Sequence, residues 1–111
     1  MKIESGAQMP LLTIEKQSIL ICFNETTFVT SEGNTMYRYD GLRVNAPYEK
    51  HEIINDIIRI KYSQESMEAI INNHLLENES EDDKAEFDAM QEWRANAKAI
   101  AKEVMDELQP K

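Results

Sequence analysis

The spacing of apolar residues changes once along this chain, between Asn45 and Lys50, and that change restricts it to a mixed architecture. Upstream, "SILICF" at 18–23 and "TTFVT" at 26–30 are rich in residues that suit a pleated, half-buried surface. The second run sets Thr26, Phe28 and Thr30 on one side and Thr27 and Val29 on the other. Downstream, Ile53, Ile54, Ile57, Ile58 and Tyr62 recur at helical spacing. A period of two and a period of 3.6 do not share an element, so strands come first and helices follow, as in an α+β fold.

Turn chemistry divides the first half. Asn24-Glu25 and Ser31–Asn34 both read as turns, with Gly33 free to take a positive φ. Asp40-Gly41 lies between extended segments and reads as a type I′ hairpin turn, with "LRV" as the returning strand. "LLTI" at 11–14 adds an edge strand. The expectation is an antiparallel meander of three to four strands over about residues 11–45. Residues 1–10 read as a flexible tail. They hold one lysine and no apolar core, which is unlike a signal peptide.

In the second half, Pro47 stands near the start of a helix over about 47–61, where its missing N–H costs little. Ser63 reads as the N-cap of a helix over 63–77, with Met67, Ile70, Ile71 and Leu75 on its apolar face. Ser80 and Asp83 resemble a capping box opening a third helix over 81–108, which Pro110 stops. Its stripe is Phe87, Met90, Ala97, Ala101, Val104 and Leu108, widened by Trp93, Ile100 and Met105. At about 40 Å it outruns two short helices. Neither half is convincing alone, so residues 11–109 read as a single α+β domain.

Charge narrows the partners. The net charge of -9 is uneven: residues 1–48 hold four basic against five acidic side chains, and residues 49–111 eight against sixteen. Such a chain repels phosphate backbones and anionic membrane surfaces, so direct nucleic-acid binding is not expected. No apolar run reaches the roughly 20 residues of a membrane helix. Cys22 is the only cysteine and sits in an apolar run, as an inert buried thiol would. A cytoplasmic location is expected.

Catalytic signals are sparse. "ENESEDD" at 77–83 lacks the alternating ligands and the glycine of a calcium loop, and its acids suit a helix N-terminus. His51 and His74 fall on different helices and outside any H-E-x-x-H element. No serine lies in G-x-S-x-G, and three glycines form no phosphate-binding loop. The chain is therefore expected to be no enzyme and to need no cofactor or metal.

Interaction residues are better marked. Trp93 and Arg94 are types enriched at binding hot spots, and Ala97 with its alanine neighbours lets a second helix approach. Ile100 and Met105 extend that helix face. Tyr37 and Tyr39 share one strand face, while Met36, Arg38 and Asp40 share the other. The tyrosine face is expected to meet the helices or, if open, a partner. The candidate interface is thus Tyr37, Tyr39, Trp93, Arg94, Ala97, Ile100 and Met105, for a protein partner or a homo-oligomer. Two other classes stay open. One is an acidic DNA mimic, with carboxylates of residues 77–92 standing in for phosphates. The other is a metal-dependent hydrolase, which needs a pocket where His51 or His74 meets carboxylates.

"MYRYDGLRV" at 36–44, Tyr62-Ser63-Gln64, Ala69-Ile70 and "EWRANAKAIAKE" at 92–103 carry a resemblance over about residues 35–105. The chain resembles small proteins of unassigned function encoded in prophage regions of Bacteroides-type genomes, near structural genes. The resemblance implies a phage or mobile-element accessory protein, an assembly helper or minor structural component. It supplies no catalytic residue.

Overall fold

A computed structural model describes residues 1–109; Pro110, the expected helix stop, lies outside the described residues. The fold is α+β: a four-stranded antiparallel sheet followed by three helices, the last one long. The strands are β1 (Lys2–Ser5), β2 (Leu12–Ile14), β3 (Ser18–Val29) and β4 (Thr35–Asn45). The helices are α1 (Lys50–Lys61), α2 (Gln64–His74) and α3 (Glu81–Leu108). The chain forms two compact units. One holds Met1–Glu49 and the chain from Glu103 onward, the other Lys50–Lys102.

In the first unit the sheet order is β1-β4-β3-β2. β2, β3 and β4 form the expected meander, but the first ten residues are not a tail. Lys2–Ser5 pairs antiparallel with Tyr37–Asp40, and its alternating apolar Ile3 was the available signal. Because β1 and β2 lie on opposite edges, residues 6–11 must cross a sheet face. They cross the tyrosine face. The Met9 amide donates to the Tyr39 hydroxyl at 2.8 Å, and the Cys22 amide donates to the Leu11 carbonyl at 2.9 Å. Leu20, Cys22 and Tyr39 form a buried cluster there, closed by Ile3, Met9 and Tyr37.

Of the three expected turns, Ser31–Asn34 is present and the other two need correction. Asp40-Gly41 is not a hairpin turn; it lies inside the continuous β4. Gly41 is needed because Ile3 of β1 crosses it so closely that a Cβ would collide with Ile3 Cδ1. The hairpin turn is at Thr30–Asn34, where the Thr30 amide meets the Asn34 carbonyl at 2.9 Å and Gly33 has φ 86°. Asn24-Glu25 is likewise no turn. It is a bulge in β3 between Phe23 and Thr26, with Asn24 at φ 55°. Asn tolerates this left-handed conformation better than most residues.

One buried carboxylate spans these features. Asp40 is 7% exposed, bonds the Lys2 ammonium of β1 and accepts from Asn24 Nδ2 of the bulge at 3.0 Å. Burial pushes its carboxyl up, but the Lys2 and Asn24 hydrogen bonds outweigh it and hold the group below its ordinary 3.8.

The second unit holds α1, α2 and α3 up to Lys102. Ser63 caps α2 as expected, its Oγ accepting from the Ser66 amide at 3.1 Å. Ser80 caps α3 through the Asp83 amide at 3.0 Å. α1 starts three residues later than expected, and α2 stops at His74 instead of 77. Ile53, Ile57, Met90, Ala97 and Ala101 are fully buried, whereas α2 buries none of its residues completely.

A carboxyl depressed on folding contributes stability that is present above its unfolded value and lost as pH falls through its folded one. Asp40→Ala is expected to cost about 1.5–3 kcal/mol in urea unfolding at neutral pH. It should also flatten the loss of stability that the wild type shows as pH drops below 3.8. Gly41→Ala is expected to cost about 1–3 kcal/mol by overpacking against Ile3, read from the same unfolding curves.

Candidate interaction surfaces

None of the seven residues marked in the sequence is fully open to solvent. Tyr39, Ala97 and Ile100 are buried, and Tyr37, Trp93, Arg94 and Met105 are half-buried. What covers Tyr39 is the chain's own β1–β2 connection. Its hydroxyl donates to Glu25 Oε1 at 2.6 Å while accepting from Met9. Burial and then the Glu25 carboxylate push its phenol up, so it stays neutral. Cys22 beside it is raised by burial as well, which makes it a poor nucleophile.

Trp93 joins two helices of the second unit. Its indole N–H donates to the Ile57 carbonyl at 3.2 Å, reaching a main-chain oxygen of α1. The Lys61 ammonium lies 5.1 Å from the centre of the Trp93 ring and 5.7 Å from that of Tyr62. Beside it a small groove of about 350 Å³ is lined by Lys61, Tyr62, Ser66, Ile70, Glu86 and Ala89. Trp93 therefore braces α3 against α1, and only part of it remains available to another molecule.

One stretch of open apolar surface lies where the sequence pattern placed core. Leu75 was expected on the apolar face of α2, but it is 74% exposed and Leu76 is 59% exposed. Leu75 is the C-cap: its amide turns back to the Ile71 and Asn72 carbonyls, and its φ of -82° and ψ of -6° close the helix. The connection is gripped from the inside. The His74 ring stacks on Phe87 of α3 with centroids 3.7 Å apart and planes 4° from parallel. Its buried Nδ1 faces the Glu79 carboxylate at 2.8 Å, close enough for an ion pair when the imidazole is protonated but without a directed hydrogen bond. His74 inward and Leu75–Leu76 outward are two sides of one turn. Glu77, Glu79, Glu81, Asp82 and Asp83 follow the leucines in the sequence, with Lys84 as the first basic residue after them.

The chain matches no family model, no curated protein and no solved structure.

The remaining polar features are shallow. His51 is exposed on α1, in an open depression of about 370 Å³ with Glu52, Asn55, Asp56 and Arg59 of the same helix. His51 lies beside Glu49 and Glu52 on the open surface, and His74 meets Glu79, but a stacked ring covers the His74 face. Along α3, 100° per residue sets Glu81, Asp88 and Glu92 on one side. Lys84 lies about 60° to one side of that row and dilutes its field.

Trp93→Phe keeps the packing and removes one hydrogen bond, leaving the Ile57 carbonyl without it. It is expected to cost about 0.5–1.5 kcal/mol, measured by chemical unfolding. Phe87→Ala removes the surface under His74 and is expected to cost more, about 2–4 kcal/mol for a half-buried ring, in the same assay.

Proposed function

We propose that this chain is a non-catalytic accessory protein that works by binding another protein through the α2–α3 connection. The observation that carries this is the pair Leu75–Leu76, 74% and 59% exposed at the tip of a turn fastened from within. Adjacent leucines held in water cost burial energy that a binding site recovers, and a preformed turn loses little entropy on docking. The acids that follow them in the sequence define the partner. It presents an apolar cleft rimmed by lysine or arginine, since a neutral or acidic rim would face Glu77, Glu81 and Asp82 at a penalty. No cofactor enters this reading, and the cytoplasm suits its free Cys22. The resemblance to prophage-encoded proteins supports an assembly helper or minor structural component as the biological setting.

A DNA-mimic role draws less support, because lysines are interleaved with the α3 carboxylates and the row Glu81, Asp88 and Glu92 is short.

The test compares the wild type with the double substitution Leu75→Ser, Leu76→Ser as bait in the native host. Stability should change by no more than about 0.5 kcal/mol, as for other exposed sites. The expected result is a partner retained by the wild type, lost by the variant and released by salt. A partner held equally by both chains would remove the α2–α3 turn as the docking surface.

A further inference from the structure

We propose that the groove lined by α1, α2 and α3 binds a small zwitterion with an apolar body, the chemistry of an apolar α-amino acid or a dipeptide. The groove holds about 350 Å³, lies wholly in the second unit and does not involve Leu75–Leu76. Its size is at the lower end for small-molecule sites, which span roughly 300–1,000 Å³.

Each helix supplies one side. α1 ends in Lys61, and Tyr62 follows it. α2 presents Ser66 and Ile70, four residues apart and so on one face. α3 presents Glu86 and Ala89, three residues apart. Tyr62 and Ile70 are half-buried and supply the apolar surface. Ala89 is exposed and ends at Cβ, so it leaves its part of the groove unfilled.

The groove carries one charge of each sign, from different helices. The Lys61 ammonium lies over two rings, 5.1 Å from the centre of Trp93 and 5.7 Å from that of Tyr62. That contact confines a side chain that otherwise samples many rotamers. Glu86 stands exposed on α3. Among the described residues, neither Lys61 nor Glu86 forms an ion pair. Both charges therefore face the groove without cancelling each other.

Charge complementarity selects the ligand class. A chain of net charge -9 repels an anionic ligand. A simple cation would answer Glu86 and oppose Lys61. A molecule of zero net charge that carries an ammonium and a carboxylate answers both, while its apolar body lies on Tyr62 and Ile70. Charged contacts at exposed sites are individually weak, so a dissociation constant of about 0.1–1 mM is expected.

Trp93 is the only tryptophan, and Lys61 both lines the groove and lies over its ring, so indole fluorescence reports occupancy. The full chain is titrated with L-phenylalanine and with phenylalanyl-glycine, which differ in the spacing of their charges. A saturable change is expected with at least one, and the tighter of the two gives the spacing that the groove takes. Ala89→Leu fills the groove from an exposed helix position. It is expected to weaken binding at least about tenfold with an unchanged unfolding midpoint. Lys61→Gln is expected to weaken the zwitterion about threefold and to leave phenylalaninamide, which has no carboxylate, unaffected. Glu86→Gln should weaken the zwitterion equally and leave N-acetyl-phenylalanine, which has no ammonium, unaffected. The absence of a saturable change with either probe up to about 10 mM overturns the proposal. So does an Ala89→Leu chain that binds as the wild type does, or charge substitutions that act alike on the zwitterion and its blocked forms.

Discussion

The sheet is organised around the buried carboxylate of Asp40. A charge out of water must be paired and hydrogen-bonded or it becomes neutral. Asp40 finds its partners on both neighbouring strands, Lys2 on β1 and Asn24 on β3. Each partner fixes something larger than itself. Lys2 sets the register that lays Ile3 over Gly41, and Asn24 holds the bulge that turns Glu25 toward Tyr39. The Tyr39 hydroxyl in turn receives Met9, which carries the crossover toward the far edge. Bulge, edge strand and crossover are therefore three consequences of satisfying one group.

That dependence explains what could be seen in the sequence. The strand and helix halves, the cap residues Ser63 and Ser80 and the span of the last helix were legible because each depends on local pattern. The role of Asp40-Gly41 was not. Taken alone, Asp-Gly favours a tight turn, and only the tertiary partners Lys2, Asn24 and Ile3 make it the middle of a strand. Asn24-Glu25 misled for the same reason. Ile3 between Lys2 and Glu4 showed the alternation of a strand, but four residues carry too little pattern to stand out.

The interaction residues are harder to read for a different reason. Aromatic, arginine and small side chains mark interfaces and cores alike, and Tyr39, Ala97 and Ile100 serve the interior. The open leucines lay concealed because helical spacing continues through Leu75 while the helix does not. Nothing local distinguishes a leucine in the last turn from one at the cap. The difference is made by His74, which turns inward onto Phe87 and so directs the next two residues out.

β1 pairs with a segment nearly forty positions later, Lys2 meeting Asp40 at a separation of 38. Closing a loop of that length costs entropy that local contacts do not repay in advance. The β3–β4 hairpin can form from neighbouring residues, whereas β1 has no mate until β4 exists. β1 is therefore housed only after β4 has formed. Until then Ile3 and the tyrosine-face cluster stay unsealed.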